Sequence, residues 1–84
     1  MQAVTLYTTA HCPYCINAKA LLAHKGVAYE EIDVSHSPER LAQMLQRSHR
    51  RSVPQIFIGE RHIGGFDDLA ALERGGQLDA LLQA

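Results

Sequence analysis

No stretch of this 84-residue sequence approaches the ~18 consecutive apolar residues that a membrane span needs. The first residues, Met1-Gln2-Ala3-Val4, lack the charged segment and following apolar run of a secretory signal. Both absences favour the cytosol, although the mature form of an exported periplasmic protein would look the same. Charge of one sign is also missing: eight Lys and Arg against nine Asp and Glu leave a net charge of −1. That excludes a nucleic-acid binder driven by general basicity. The nearest thing to a basic patch is Arg47, Arg50 and Arg51, which reads either as a solvated face beside a loop or as a local hold on an anionic ligand. Cysteine is scarce, with two in the whole chain. A structural zinc site wants about four ligands, and there is no second cysteine pair to supply them. The five histidines, His11, His24, His36, His49 and His62, are scattered without ligand spacing. No repeat, linker or low-complexity segment is visible, so residues 1–84 are expected to form a single domain.

What is present is an ordinary globular composition, 46% hydrophobic and 20% charged. A domain of this length buries roughly 60–65% of the surface its unfolded chain exposes, enough for one modest core. Ala3–Tyr7 is β-rich without clean alternation, which suits a central strand covered on both faces. After a polar loop, Thr8–His11, Pro13 fits the first position of a helix, where a missing N–H costs nothing. Cys15, Ala18, Leu21 and Leu22 recur at helical spacing as one apolar stripe, and Gly26 closes the helix. Val27–Val34 reads as a second strand. Ser37-Pro38 starts a second helix whose buried face is Leu41, Met44 and Leu45, followed by a basic loop, Ser48–Ser52. Val53–Ile58 reads as a third strand, Gly59-Glu60 as a turn and Arg61–Ile63 as a short fourth strand. Asp67 and Asp68 open a third helix with Leu69 and Leu72 inward. Gly75-Gly76 ends it, and Leu78, Leu81 and Leu82 mark a last helical turn.

The order β-α-β-α-β-β-α predicts an α/β fold with a mixed four-stranded sheet flanked by helices on both faces. The two strand–helix–strand units imply parallel pairing with right-handed crossovers, and the final hairpin must be antiparallel.

Both cysteines fall in Cys12-Pro13-Tyr14-Cys15, at the junction between the first strand and the first helix. In a small chain, Cys-x-x-Cys in that place reads as a redox dithiol, and in a reducing compartment it is a poor candidate for a structural staple. The attacking species in thiol chemistry is the thiolate. Cys12, at the helix cap, would face unpaired N–H groups and the positive end of the dipole, both of which favour negative sulfur. His11, just before it, could add positive charge. Cys15 shares the apolar stripe and points toward the sheet. Cys12 is therefore expected to be the exposed nucleophile and Cys15 the shielded resolving thiol.

Three stretches together carry a family resemblance: Cys12-Pro13-Tyr14-Cys15, Ser52-Val53-Pro54-Gln55-Ile56-Phe57-Ile58 and Ile63-Gly64-Gly65-Phe66-Asp67-Asp68-Leu69. They resemble the signature motifs of dithiol glutaredoxins, most of all the short bacterial glutaredoxin 3 type, at matching spacing over essentially the whole chain. The resemblance implies a thioredoxin-like fold and glutathione-dependent reduction of protein disulfides and protein–glutathione mixed disulfides. Glutathione then serves as co-substrate, with no bound cofactor and no metal, in a monomer whose partners are disulfide-containing or glutathionylated proteins. It further implies that Val53-Pro54 is a cis-proline junction whose backbone meets glutathione's cysteine residue like an added strand. Gly65, Phe66, Asp67 and Asp68 would receive the γ-glutamyl end, with helix N–H groups on its carboxylate and an aspartate on its ammonium. Tyr14 would line the groove. Glutaredoxins often carry Lys three residues before the first cysteine, where this chain has Thr9. Arg40, Gln43 and Arg51 are the nearest candidates to meet the glycine carboxylate in its place. Phe66 stands where Cys or Ser is common, and Ser52 where Thr is common.

Two other readings compete. One is a glutaredoxin-like donor reduced by thioredoxin reductase, kept open by Phe66. The other is an iron–sulfur cluster carrier, in which two copies would each give one cysteine. Pro13 and the competing thiol of Cys15 argue against the carrier.

Overall fold

The computed structural model describes residues 1–84. The chain runs β1 (Val4–Thr8), α1 (Pro13–His24), β2 (Glu30–Asp33), α2 (Pro38–Ser48), β3 (Gln55–Ile58), β4 (Arg61–Gly64), α3 (Phe66–Arg74) and α4 (Leu78–Gln83). One four-stranded sheet has the order β2-β1-β3-β4. β1 pairs with β2 in parallel and with β3 antiparallel, and β3 pairs with β4 antiparallel. No helix is long and apolar enough to cross a membrane.

The central strands explain why alternation is missing from their sequences. Val4 and Leu6 of β1, with Ile56 and Ile58 of β3, join the core beneath α1, α3 and α4, together with Ala18, Leu22, Leu69, Leu78 and Leu82. Their neighbours Tyr7 and Phe57 point the other way and pack under α2 with Val34 and Met44. A strand buried on both faces has no polar side to show.

Helix ends follow local chemistry. Pro13 and Pro38 sit in first turns, and the Ser37 hydroxyl accepts a bond from the Arg40 N–H. At the end of α1, Gly26 takes φ +72°, and the N–H groups of Gly26 and Val27 return to the carbonyls of Ala23 and Leu22. This is the Schellman arrangement, and its apolar contact is Val27 on Leu22.

Four expectations need correction. The first strand runs on through Thr8, which is buried, so the polar loop is one residue shorter. The second strand is only Glu30–Asp33, because β1 offers partners from Thr5↔Glu30 onward and Val27–Tyr29 pass outside the ladder. The third strand starts at Gln55, after the proline, since Pro54 has no N–H to give a ladder; the Val53–Pro54 peptide is cis. The second strand–helix–strand unit is not a parallel crossover. After α2, residues 49–54 return the chain to the end where β1 leaves the sheet, so that Tyr7 faces Gln55 and Val4 faces Ile58. β3 therefore runs antiparallel, and its first residues lie beside the start of α1.

Candidate active site

Cys12 is the N-cap of α1, extended in backbone (φ −106°, ψ 105°) and followed at once by Pro13. Its Sγ accepts a hydrogen bond from the Cys15 N–H at 3.1 Å. A sulfur at this position receives an otherwise unpaired helical N–H and sits at the positive end of the dipole, a setting that stabilises negative charge. The carbonyl oxygen of Val53 lies 3.8 Å from the same Sγ, so a protonated Cys12 can donate to it. Cys12 is partly exposed. Cys15 is 2% exposed, and both thiols are free.

Burial, and next the hydrogen bond with Cys12, push the Cys15 thiol up to about 12, against an opposing pull from the Thr9 backbone. Physical chemistry thus separates two cysteines only three residues apart: one is presented to solvent at a helix terminus, the other is kept protonated against the sheet.

Beside Cys12 lies an open cleft of about 220 Å³ lined by Tyr14, Arg50, Ser52, Val53, Pro54, Gly65, Phe66, Asp67 and Asp68. The seven residues assigned to glutathione from the sequence (Tyr14, Val53, Pro54, Gly65, Phe66, Asp67 and Asp68) all line this one cleft. They arrive by three routes. Tyr14 is exposed on the first turn of α1, Val53-Pro54 precede β3, and Gly65–Asp68 form the start of α3. Asp68, at the third helical position, accepts the Gly65 N–H at 2.9 Å and closes that turn. Gly64, with φ +117°, has no room for a side chain, since a Cβ would collide with the Asp68 carboxylate. Phe66 is half-buried, with its ring against the larger core.

Arg40, Gln43 and Arg51 do not line the cleft. The Arg40 and Arg51 side chains are exposed, and Gln43 accepts the Tyr7 hydroxyl at 2.9 Å on the α2 face. The cation that does enter the cleft is Arg50, whose Nη1 lies 3.4 Å from Asp68 Oδ2. The sequence placed Arg50 in a basic stretch without assigning it to the site. The basic run was the available signal, but its pairing with an acid 18 positions along the chain was not. Arg47, from the same run, donates to the Tyr7 hydroxyl at 2.9 Å and lies 4.0 Å over the Phe57 ring, away from the cleft. The His11 ring is exposed and makes no hydrogen bond; its backbone takes a left-handed φ of +59° in the turn before Cys12.

An accessible sulfur at a helix start, a shielded thiol one turn away and an adjoining cleft of mixed charge can carry out thiol–disulfide exchange with a small charged peptide. Known proteins with the same arrangement agree. Residues 4–63 match the glutaredoxin family model. The chain is 56% identical over 84 residues to a glutaredoxin of Pseudomonas aeruginosa, covering all of both sequences. It is 49% identical over 83 residues to glutaredoxin 3 of Escherichia coli, covering 99% and 100%. Its structure superimposes on a buckwheat glutaredoxin solved as a glutathione complex with a TM-score of 0.88 at 30% identity, over 98% of this chain and 77% of that one. The mixed sheet, the cis proline and the Cys12–Cys15 pair are thus those of a thioredoxin-like redox protein, and the chain belongs to the glutaredoxin family.

Proposed function

We propose that this glutaredoxin is a glutathione-dependent oxidoreductase that reduces protein–glutathione mixed disulfides and protein disulfides. The observation that carries the reading is the meeting of all seven glutathione candidates in one cleft next to Cys12. The buckwheat relative, which binds glutathione, supports it.

In the first reaction the Cys12 thiolate attacks the glutathione sulfur of a glutathionylated protein. A Cys12–glutathione disulfide forms, and the protein sulfur leaves as a thiolate that takes a proton from solvent. A second glutathione thiolate attacks the bound glutathione sulfur, giving oxidised glutathione and restoring Cys12 as a thiolate. For a protein disulfide, Cys12 forms the mixed disulfide and Cys15, after losing its proton, attacks Cys12 sulfur. The second substrate sulfur leaves, and the Cys12–Cys15 disulfide holds the oxidising equivalents until two glutathione molecules reduce it.

The backbone of Val53 and the ring of Tyr14 flank the glutathione cysteine. The start of α3 offers N–H groups to the γ-glutamyl carboxylate, with Asp67 or Asp68 on the ammonium. Arg50 supplies the positive charge that Thr9 does not, to a glutathione carboxylate in the cleft. The enzyme acts as a monomer in the cytoplasm, with glutathione as co-substrate rather than a resident cofactor.

Cys12→Ser should abolish deglutathionylation of a glutathionylated peptide, while Cys15→Ser should retain it and lose only the resolution of protein disulfides. Deglutathionylation that requires Cys15 would sink this mechanism.

A further inference from the structure

Gln55 is a polar side chain with no exposed surface, a placement that is costly unless every polar atom is paired. Its pairing is directional. The Nε2 group donates to the Ser52 carbonyl at 2.9 Å and to the Ser52 hydroxyl at 3.2 Å. The amide oxygen is left to accept, and it faces His62 Nε2 at 2.7 Å, so that nitrogen must carry the hydrogen. His62 sits on the edge strand β4 opposite Phe57 and packs on its ring at 5.0 Å. Residues 51–54 make no backbone–backbone hydrogen bond of their own. Besides the contact of the Val53 carbonyl with Cys12 Sγ, the polar tie on this segment is the Gln55 amide, which holds Ser52, the residue immediately before Val53.

We propose that Gln55 and His62 are positioning residues: His62 orients the buried Gln55 amide, which clamps Ser52 and so fixes the Val53 backbone against Cys12 for the incoming substrate. Neither residue lines the cleft, so both act through the Ser52–Pro54 segment. The donor role of His62 is available to the neutral ring and to the cation alike, so the clamp does not depend on the protonation of His62. The proposal rests on the glutathione-dependent reading above, because the backbone being positioned is the one assigned to glutathione's cysteine.

The test compares His62→Phe, which keeps an aromatic ring but removes the N–H, with His62→Gln, whose amide nitrogen can stand where Nε2 stood. Three quantities are read in each folded variant: KM and kcat for a glutathionylated peptide, and the rate of Cys12 alkylation by iodoacetamide, which needs no docking against Val53. His62→Phe should raise KM about threefold to tenfold, the effect of one lost hydrogen bond. Both kcat and alkylation should stay within about twofold of the parent, and His62→Gln should restore KM. Ser52 itself lines the cleft, so the second variant is His62→Leu, which also removes the N–H at a position outside the cleft and should raise KM over the same range; it serves if His62→Phe does not fold. An unmoved KM in these variants, equal effects of Phe and Gln, or a parallel fall in kcat and alkylation would overturn the positioning role. Failure of the parent protein to turn over the glutathionylated peptide would instead sink the functional reading on which it rests.

Discussion

If burial is what keeps Cys15 protonated, its reactivity should reveal that directly. A thiol held at about 12 is ionised in roughly one molecule in 10⁵ at pH 7, against roughly one in 10² for an ordinary thiol at 9.0. Because the thiolate is the reactive form, the ionised fraction alone slows alkylation of Cys15 about a thousandfold relative to an ordinary thiol. Its 2% exposure slows it further. In a Cys12→Ala variant the hydrogen bond with Cys12 and its charge both disappear, and each of these raises Cys15. Burial, the largest cause, remains. Cys15 should therefore become somewhat more reactive but stay slower than free cysteine. The assay is iodoacetamide labelling between pH 6 and pH 10, with the two cysteines distinguished by mass spectrometry of their peptides or by single-cysteine variants. The logarithm of the Cys15 rate should climb one unit per pH unit past pH 9 with no plateau. A plateau below pH 9, or labelling at pH 7 within tenfold of free cysteine, would refute the reasoning. The sign of the linked stability effect is also fixed. A folded-state value raised above the unfolded one contributes stability that is complete below about pH 9 and is lost as pH rises toward 12.

Other parts of the structure give further expectations. Arg50→Ala should raise KM for a glutathionylated peptide about twofold to fivefold while changing unfolding free energy by less than about 0.5 kcal/mol, because its ion pair with Asp68 is about half exposed on both sides; steady-state kinetics and urea unfolding check both halves. Burial first, then Arg50, hold His62 below the usual imidazole range. The stability linked to its neutral form is present above about pH 6.5 and lost as pH falls, so melting temperature should drop between pH 6.5 and pH 5 less steeply in His62→Gln than in the parent. Phe66→Ser should cost about 1–2 kcal/mol in urea unfolding, from the half-buried ring packed on the core.

The sequence and the structure part company at identifiable places. The buried central strands were legible because Val4, Leu6 and Tyr7, like Ile56, Phe57 and Ile58, leave no polar face. The split between Cys12 and Cys15 was legible because helical spacing ties Cys15 to Ala18 and Leu22. The direction of β3 was not, since it depends on the path of residues 49–54 rather than on any period in the strand itself. Arg50 could not be assigned to the cleft because its acidic neighbour is on another element, and Arg40, Gln43 and Arg51 were equally plausible by composition. Gln55 and His62 were invisible for the same reason: a buried amide clamp is a relation among a loop and two strands, and no local pattern encodes it.

The claim that organises the rest is that glutathione reduces this protein. Turnover of one small glutathionylated substrate should be measured twice, with glutathione, glutathione reductase and NADPH, and with thioredoxin reductase and NADPH alone. Rapid turnover in the first mixture and none in the second is the predicted result. Turnover with thioredoxin reductase but not with glutathione would contradict it.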